Sequence, residues 1–551
     1  MLIVGSGLAA LRAAIEAQAA GRSVLVASKG ICGRSGCSAI TSAGFSVALG
    51  HADSSDSPDL HYRDTIKGGA GINNHGLARL LCEEAIDRFW ELVAWEVKFE
   101  KEMGSGRYRQ YPSGDHSRDR VAVCVGHRGL GMTLPLKRAA SQVRFLDHLM
   151  ALDLMKDKDG ISGIVAIDLK DLKVTGIRSR STILTTGGVG QLYSVTSNPA
   201  DVTGDGLAMA YRAGAALIDL EFVQFYPWRL ISLGRGRVPI QPSSFARGVI
   251  LRNAQGERFM EHLDPARKEA TTRDIAARGI FTEIVEGRDV DGGVILDLSA
   301  IAAEEFARLN PRVARLVEKR RRGLENERLI VSPETHFHMG GVRVDEWGRT
   351  SLRHLYAAGE VAGGIHGGNR LDSNALPEGQ VFGRRAGGMA SLEAEERGHP
   401  ELDRECLSHW EGRVKKIMRD AEHGLGVSRF RSSIRECMAL NASIVRNAEK
   451  LTEGISQLRE LRERVSAEKV AVGMHLGRRI ETQNMALVGE LIARAALFRS
   501  ESRGAHFRSD FPSSDDTHWL GSVVLQRHIA GEPSLAFQSV AGDSDRDWRI
   551  E

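Results

Sequence analysis

With 551 residues, the chain is too long for one compact core, so we expect it to fold into two to four structural units. Its 74 basic and 71 acidic residues leave a net charge of +3, which argues against the strongly basic classes that bind nucleic acid or an anionic membrane. The composition is 42% hydrophobic and 26% charged, with an excess of glycine at 60 residues. Clustered glycines between apolar runs favour tight turns and backbone close to a ligand.

The six cysteines are scattered along the chain, and no two form a Cys-x-x-Cys pair. We therefore expect no internal iron–sulfur cluster, zinc ribbon or other metal site, and a reducing compartment. No apolar stretch reaches the roughly 18 residues that a membrane span needs, and the N-terminus has no cationic leader of a signal peptide. These features predict a cytoplasmic protein, which a partner could attach to a membrane.

The first predicted elements form a βαβ unit. Residues 2–4 are a short apolar strand that ends in a glycine turn, residues 8–20 are typical of an alanine-rich helix, and residues 23–27 are a second buried strand. Further along the chain, the predicted elements are helices over 76–101 and 206–217 and strands within 161–186 and 218–225.

The second half of the chain changes character three times. Residues 226–335 are more polar and more basic than their surroundings, which indicates an inserted domain. A glycine-rich, strand-rich pattern returns over 340–388, and residues 400–500 are charged and helical. From residue 503 onward the sequence is polar, and we expect an irregular surface tail packed on the other domains.

The opening turn has the spacing of a dinucleotide-binding motif. Gly5 would make the tight turn, Gly7 would let backbone N–H groups approach a pyrophosphate, and Ala10 would keep the helix close to the strand. A bare glycine motif is weak, but this one follows a strand and opens a helix. An NAD site usually places an acidic residue at the end of the second strand, where this chain has Ser28 and Lys29, so NAD is not the predicted ligand.

A series of longer motifs follows in order along the chain. They are Thr186–Gly190, Thr203–Gly206, Leu220–Phe225, Gly256–Met260, Thr272–Ile275, His336–Gly341, Leu355–Glu360, His366–Leu371 and Glu501–His506. With these motifs, and with a second strand that ends in Ser-Lys, the chain resembles the flavoprotein subunits of succinate dehydrogenase and fumarate reductase, together with L-aspartate oxidase. The resemblance covers about 500 residues.

The resemblance implies an α/β fold. An FAD-binding Rossmann-like domain would be interrupted by an α+β capping domain and followed by a helical domain. The boundaries that we expect are 1–220 and 340–395 for the two parts of the FAD-binding domain, 221–339 for the capping domain, 396–500 for the helical domain and 501–551 for a C-terminal segment.

The resemblance also implies which residues lie against FAD. In the first part of the chain they are Gly5, Gly7, Leu8, Ala9, Ala10, Ser28, Lys29, Ser35, Cys37, Ser38 and Gly44. In the later flavin segments they are Asp205, Glu360, Ala375 and Leu376.

Four residues are implied to form the substrate site. Arg273 resembles the family's proton-transferring arginine, although an arginine is normally always protonated. His336 and Arg370 resemble the pair that clamps one substrate carboxylate, and nearby His338 competes with His336 for that role. Tyr226 takes the place of a histidine that normally meets the second carboxylate, and a tyrosine can donate a hydrogen bond but carries no positive charge.

Two further departures from the family pattern concern the same site. The family's Thr-Glu pair falls at about Gln241-Pro242, so the glutamate that relays protons to the arginine is absent or moved. The usual Gln-Gly-Gly near the flavin is Ser42-Ala43-Gly44. With Tyr226, these changes predict a carboxylate-bearing substrate whose second end is bulkier or less charged than that of succinate or fumarate.

The attachment of FAD can also be predicted. Respiratory members of the family carry, after Arg-Ser, a histidine that bonds covalently to the flavin. Here Arg34-Ser35 is followed by Gly36-Cys37, and no histidine lies between Gly30 and Gly50. We therefore expect noncovalent FAD, and we interpret Cys37 as a buried small residue rather than a covalent or redox site.

Three functions remain open at this point. The leading interpretation is an FAD-dependent oxidoreductase of the fumarate reductase/succinate dehydrogenase type, which transfers a hydride between flavin and a small carboxylic acid. It would receive or pass electrons through a separate iron–sulfur or other electron-transfer subunit. The alternatives are an amino-acid oxidase like L-aspartate oxidase, and a flavin electron-transfer subunit with an altered substrate site.

Overall fold

The computed structural model describes residues 1–41, 44–113, 116–126, 128–233, 238–321, 323–324, 327–419, 426–467, 476–528 and 532–540. The helices of these residues are α1 (Leu8–Ala19), α2 (Cys37–Ile40), α3 (Pro58–Gly68), α4 (His75–Ala94), α5 (Arg128–Ala139), α6 (Asp205–Ala213), α7 (Met260–Leu263), α8 (Arg273–Val285), α9 (Ala303–Leu309), α10 (Pro311–Lys319), α11 (Ala375–Glu396), α12 (Arg404–Arg419), α13 (Val427–Asn441), α14 (Ala448–Ala467), α15 (Leu476–Phe498) and α16 (Asp516–Trp519). None of them is long and apolar enough to cross a membrane.

The strands of the same residues are mostly short. They are β1 (Leu2–Val4), β2 (Leu25–Ser28), β3 (Phe45–Ser46), β4 (Gln110–Tyr111), β5 (Val121–Ala122), β6 (Arg144–Asp147), β7 (Leu149–Asp157), β8 (Gly160–Asp168), β9 (Val174–Arg178), β10 (Thr182–Leu184), β11 (Leu217–Ile218), β12 (Val223–Leu230), β13 (Val238–Pro239), β14 (Ile250–Arg252), β15 (Val294–Asp297), β16 (Ile330–His338), β17 (Gly341–Arg343), β18 (Leu355–Ala357), β19 (Ala362–Gly363), β20 (Val445–Arg446), β21 (Phe507–Arg508), β22 (Gly521–Arg527) and β23 (Pro533–Ser539).

A parallel five-stranded sheet carries the glycine turn. Its strand order is β18-β10-β1-β2-β6, so β1 lies at the centre and the chain leaves it at the edge where Gly5 turns into α1. The short, continuous apolar runs of these strands suit a sheet that is covered on both faces. The predicted βαβ unit is confirmed.

Helices α1 and α11 pack with their backbones in contact. A Cβ atom on Gly383 would lie 2.7 Å from the carbonyl oxygen of Ala9, and one on Gly387 would lie 2.6 Å from that of Ala13. Only glycine on α11 and small residues on α1 allow this approach. The alanine-rich sequence of α1 therefore serves helix packing as well as helix propensity.

The capping domain is an antiparallel sheet covered by helices. Its strand order is β13-β12-β16-β15-β14, and helices α7 to α10 belong to the same part of the chain. It has a hydrophobic core of its own, in which the rings of Trp228 and Phe245 stack 4.2 Å apart. Strands β12 and β16, which lead into and out of this domain, pair with each other, so both crossings to the FAD-binding domain lie side by side.

Helices α12 to α15 follow the FAD-binding domain. Trp410 of α12 packs in a separate cluster against strands β7 and β8, whereas α13, α14 and α15 extend the main hydrophobic core. Long amphipathic helices with few glycines account for this region, as the sequence predicts.

Three predicted elements differ from the structure. The helix expected over 76–101 ends at Ala94, because Glu96 adopts a left-handed backbone with φ of 67°. The helix expected over 206–217 ends at Ala213, where Gly214 has φ of 88°. The expected irregular tail is wrong for 521–539, because β22 pairs with both β11 and β23.

A buried ion cluster near the C-terminus provides a test of stability. Arg499 is fully buried and bonds Glu221 at 2.7 Å and Glu501 at 2.9 Å. We expect Arg499→Ala to destabilise the protein by about 3–5 kcal/mol, because the buried carboxylate of Glu221 loses its ion-pair partner and Glu501 keeps only Arg503. Arg63→Ala, which removes an exposed pair with Asp59, is the control and should cost less than about 1 kcal/mol. Urea unfolding followed by circular dichroism measures both, and equal effects would contradict the prediction.

Candidate active site

The glycine turn after β1 is built as the sequence predicts. Gly5 has φ of 115°, and a Cβ atom there would lie 2.2 Å from the carbonyl oxygen of Thr185, so only glycine fits. Gly7 precedes α1, the N–H of Leu8 donates to Ser38 Oγ at 3.1 Å, and Ala10 is fully buried. The first N–H groups of α1 therefore point towards the place where a phosphate would bind.

Ser28 and Lys29 join the end of the second strand to distant parts of the chain. Ser28 Oγ lies 2.8 Å from Ser6 Oγ. Lys29 Nζ donates to Asp205 at 2.5 Å and to Glu481 at 2.8 Å. Burial lowers the pKa of Lys29, but these two carboxylates outweigh it and raise the pKa above its usual value, so the residue stays charged.

Asp205 begins α6, and its carboxylate is occupied within the protein. Besides Lys29, Thr203 Oγ1 donates to it at 2.9 Å and Asn484 Nδ2 at 2.8 Å. The side chain thus ties the FAD-binding domain to the helical domain through α15. Contact between Asp205 and FAD stays a prediction.

The loop after the second strand carries the other predicted flavin residues. Ser35 Oγ donates to the carbonyl of Ile31 at 2.6 Å, and a Cβ atom on Gly44 would lie 2.2 Å from a methyl carbon of Val121. Cys37 begins the short helix α2; burial and the carboxylates of Glu360 and Asp201 raise the pKa of its thiol, which makes it a poor nucleophile. The changed residues Ser42 and Ala43 lie outside the described residues.

The later flavin segments meet close to Glu360. A Cβ atom on Gly188 would lie 2.2 Å from Glu360 Oε1, and the N–H of His338 donates to the same oxygen at 3.1 Å. Burial raises the pKa of Glu360 to about 7, so the carboxyl group is near its midpoint of ionisation at neutral pH. His338 is thereby tied to the flavin side, with its Nε2 donating to the carbonyl of Leu220 at 3.0 Å.

These segments fit a dinucleotide. Gly5 and Gly188 let the backbone of these segments pack closely, because a Cβ atom would clash with Thr185 at the first and with Glu360 at the second. Thr186 Oγ1 and both ring nitrogens of His366 are buried without a hydrogen-bond partner in the described part of the chain. Buried polar atoms are normally satisfied, so a polar ligand is expected beside them. Ala375 and Leu376 open α11 at the same place, where the helix N-terminus favours electron-rich groups.

The four predicted substrate residues come together where the capping domain meets the FAD-binding domain. Arg273 is the first residue of α8, and its guanidinium lies 5.1 Å from the centre of the Tyr226 ring. The rings of Tyr226 and His336 are 5.4 Å apart, and the Arg370 guanidinium lies 4.6 Å from the ring of Phe337. Burial, with the charges of Arg370 and Arg273, lowers the pKa of His336 well below its usual value, so the imidazole is neutral.

Arg370 is held by the strand that enters the capping domain. Gln224 of β12 accepts from Arg370 Nη2 at 3.2 Å and donates to the Arg370 carbonyl at 2.8 Å. The same amide donates to Asn369 at 2.7 Å, and Asn369 donates to Asp274 at 3.1 Å. These hydrogen bonds fix the position of Arg370, the arginine predicted to bind a substrate carboxylate.

Tyr226 is oriented differently from the sequence expectation. Its hydroxyl donates to the carbonyl of Ile240 at 2.5 Å, inside the capping domain. The phenol hydrogen is therefore used there, and Tyr226 presents its ring to Arg273 and His336.

Asp372 is a site residue that the sequence analysis missed. Its carboxylate pairs with Arg273 Nη2, and its other oxygen accepts from Ser113 Oγ at 2.9 Å. Burial would raise the pKa of Asp372, but the charges of Arg273 and Arg370 hold it well below the usual value. The available signal was its place two residues after Arg370, just beyond a family motif that ends at Leu371.

Comparison with known proteins places the chain among flavoproteins. The FAD binding domain family matches residues 1–376, and the family described as fumarate reductase flavoprotein C-term matches 431–544. One of the subunits of fumarate reductase (CoM/CoB) from Methanothermobacter marburgensis is 37% identical, over 96% of this chain and 97% of its own. L-aspartate oxidase of Caulobacter vibrioides is 36% identical, over 97% of each chain. The succinate dehydrogenase flavoprotein subunit of Coxiella burnetii is 32% identical, over 97% and 95%.

The fold agrees with that placement. A structure of E. coli quinol fumarate reductase superposes with a TM-score of 0.88 at 26% identity, over 98% of this chain and 96% of the other. The FAD-binding domain, the interrupting α+β cap and the helical region that follows all have the predicted order. The chain belongs to the fumarate reductase/succinate dehydrogenase flavoprotein family and is an FAD-dependent oxidoreductase.

Proposed function

We propose that the protein transfers a hydride between FAD and a small organic acid with a carboxylate group. The observation that carries the proposal is the convergence of Arg273, His336 and Arg370 at the boundary of the capping domain. Bound FAD would supply or accept the hydride. Arg370 and His336 would hold the carboxylate, and Arg273 would transfer a proton at the neighbouring carbon.

The charges of the site favour a substrate with a single carboxylate there. Arg273 and Arg370 are positive, Asp372 is negative, and His336 is neutral. Tyr226 adds no charge, so the enclosed site has one positive charge in excess. One carboxylate balances that excess, whereas a second would be desolvated without a partner.

An amino-acid oxidase like L-aspartate oxidase is the second candidate. Asp372 could receive the ammonium group of an amino acid, and a relative of that name is 36% identical to this chain. Peroxide formation on addition of L-aspartate would favour this candidate. Reduction of an acid by viologen, without a reaction with oxygen, would favour the first.

A separate electron-transfer subunit, with iron–sulfur clusters or another carrier, is part of the proposal. Among the described residues, no group of three or more His, Cys, Asp or Glu side chains could hold a metal ion. Two of the relatives are named as subunits. The partner would also provide any attachment of this cytoplasmic chain to a membrane. The domain boundaries and FAD contacts predicted from the sequence remain part of the same proposal.

The first prediction from this proposal concerns how FAD is attached to the protein. We expect acid or heat denaturation to release all of the FAD, because Cys37 stands near the family's attachment position and its thiol is a poor nucleophile. Filtration of the denatured protein and flavin fluorescence of the filtrate measure the released fraction. Flavin that stays with the precipitated chain would mean a covalent bond.

A second prediction tests the flavin segments. Gly188→Ala should weaken FAD binding at least about tenfold, or ~1.4 kcal/mol, because the added Cβ would clash with Glu360. Gly412→Ala is the matched control, since nothing lies within 4 Å of a Cβ at that helical position. Titration of FAD into apoprotein compares the two variants. Equal affinities would show that FAD does not depend on this contact.

A third prediction tests the reaction itself. Viologen-reduced protein should be reoxidised faster by acids with one carboxylate, such as crotonate or cinnamate, than by fumarate. Arg273→Ala should lower the turnover of the best acid about 10²–10⁴-fold, because proton transfer is lost. Arg63→Ala is the exposed control and should leave turnover unchanged.

Two outcomes would contradict parts of this proposal. Fast turnover of fumarate or succinate would refute the preference for one carboxylate. Unchanged activity of Arg273→Ala would remove Arg273 from the mechanism and favour an electron-transfer subunit with an altered site.

A further inference from the structure

The proposed reaction requires Arg273 to regain a proton after each turnover. Its side chain is only 4% exposed, so after giving up a proton it cannot regain one directly from bulk water. A neutral guanidine is also far from its stable state, because the pKa of arginine is normally above about 12. A proton donor must therefore lie in contact with Arg273.

Among the described residues, the carboxylate of Asp372 is in contact with Arg273. It lies in the segment before α11, and one of its oxygens pairs with Arg273 while the other accepts from Ser113 Oγ at 2.9 Å. Its main-chain carbonyl is fixed separately, by the hydroxyl of Ser46 at 3.0 Å and by Nε2 of His116 at 2.8 Å. The carboxyl group is thus held with one oxygen facing the active site and the other facing away from it.

We propose that Asp372 is a positioning residue that relays protons between Arg273 and solvent by way of Ser113. The inference rests on the proposed role of Arg273. During reduction of a substrate, an N–H bond of Arg273 breaks as a C–H bond forms on the substrate. Asp372 then takes a proton from the Ser113 hydroxyl, Ser113 takes one from water, and Asp372 passes its proton to the neutral guanidine. One proton enters from solvent, no electrons move in the relay, and substrate oxidation runs it in reverse.

The electrostatics of Asp372 suit this task. Burial favours its protonated form, and the positive charges of Arg273 and Arg370 oppose this effect. His336 also faces the carboxylate, but burial and the two arginines keep it neutral. When Arg273 gives up its proton, it also loses its positive charge. It then no longer lowers the pKa of Asp372, and Asp372 becomes more basic. The carboxylate therefore gains proton affinity at the moment when a proton is needed.

Asp372 and Ser113 are both more exposed than Arg273, whose side chain is 4% exposed. The Asp372 side chain is 16% exposed, and Ser113 is 9% exposed. Arg120 is fully buried beside them, donates to His116 Nδ1 at 3.2 Å and pairs with Asp64 at 2.6 Å. This cluster fixes the side chains next to Asp372 and Ser113. Burial lowers the pKa of His116 to about 4, so His116 stays neutral.

The first experiment does not depend on the substrate. Infrared difference spectra of the FAD-loaded protein, recorded as a function of pH, report a protonated carboxyl group. In Arg273→Gln, Asp372 should take up a proton at a higher pH than in the wild type, giving a band that is absent from the double variant Arg273→Gln/Asp372→Asn. If no such band appears down to about pH 5, Asp372 cannot accept the proton and the proposal is overturned.

The second experiment measures turnover with the acid that the wild type reduces fastest. Asp372→Ala should lower kcat about 100-fold with unchanged FAD content, and added formate should restore part of the rate. Ser113→Ala should show a smaller loss and a larger solvent isotope effect. Asp157→Ala, which breaks a buried pair with Arg397, is the control; it should keep kcat and show no response to formate.

The outcomes separate this proposal from the proposed function. A loss of rate in Asp372→Ala that formate does not restore, or that follows loss of FAD, would make Asp372 a purely structural partner. If the wild type reduces no acid, the proposed function fails, and the infrared titration alone still decides whether Asp372 can carry the proton.

Discussion

Arg273 and Asp372 come from segments 99 residues apart, and their contact holds the capping domain over the FAD-binding domain. Asn369 and Asp274 form a second bond across the same boundary. The predicted substrate residues are contributed by both domains, so these bonds help to fix their relative positions, together with those of Gln224 to Asn369 and Arg370. Because separating a buried ion pair is costly, the charge balance of the site and the position of the cap depend on each other. A substrate that changes this balance will also change how firmly the cap is held.

The pKa values of carboxyl groups on the two sides of the site are shifted in opposite directions. Burial raises the pKa of Glu360 to about 7 and that of Glu378 to about 8. Asp372 is buried as well, but the nearby arginines keep it ionised. All three residues carry a carboxyl group, and the different positions of nearby cations give these groups different pKa values. Negative charge is therefore reduced near Glu360 and Glu378 and kept at Asp372 beside the arginines.

Local patterns predicted those parts of the fold that depend on neighbouring residues. Gly5 and Gly7 between an apolar strand and a helix indicate the turn from their spacing alone. Contacts between distant residues left no comparable signal: Lys29 and Glu481 are 452 residues apart, and strand β22 reaches β11 only in the folded chain. The sequence analysis did not identify Asp372 for the same reason, because Asp372 meets Arg273 of the capping domain only in the folded chain. The hydroxyl direction of Tyr226 depends on a carbonyl that only the tertiary structure brings close.

Two residues of the predicted substrate site, Tyr226 and Asp372, act in the same direction. Tyr226 stands where the family pattern implies a histidine, and its hydroxyl is turned into the capping domain, so this position offers neither a cation nor a free donor. Asp372 adds a negative charge next to Arg273. Each of these two features would weaken the binding of a dicarboxylate, and together they are consistent with the single excess positive charge of the proposed site. A site altered at random would not need Asp372 to be held by Ser113, Ser46 and His116 in addition to Arg273. That number of supporting contacts argues for a site adapted to a less charged substrate rather than one that has lost its function.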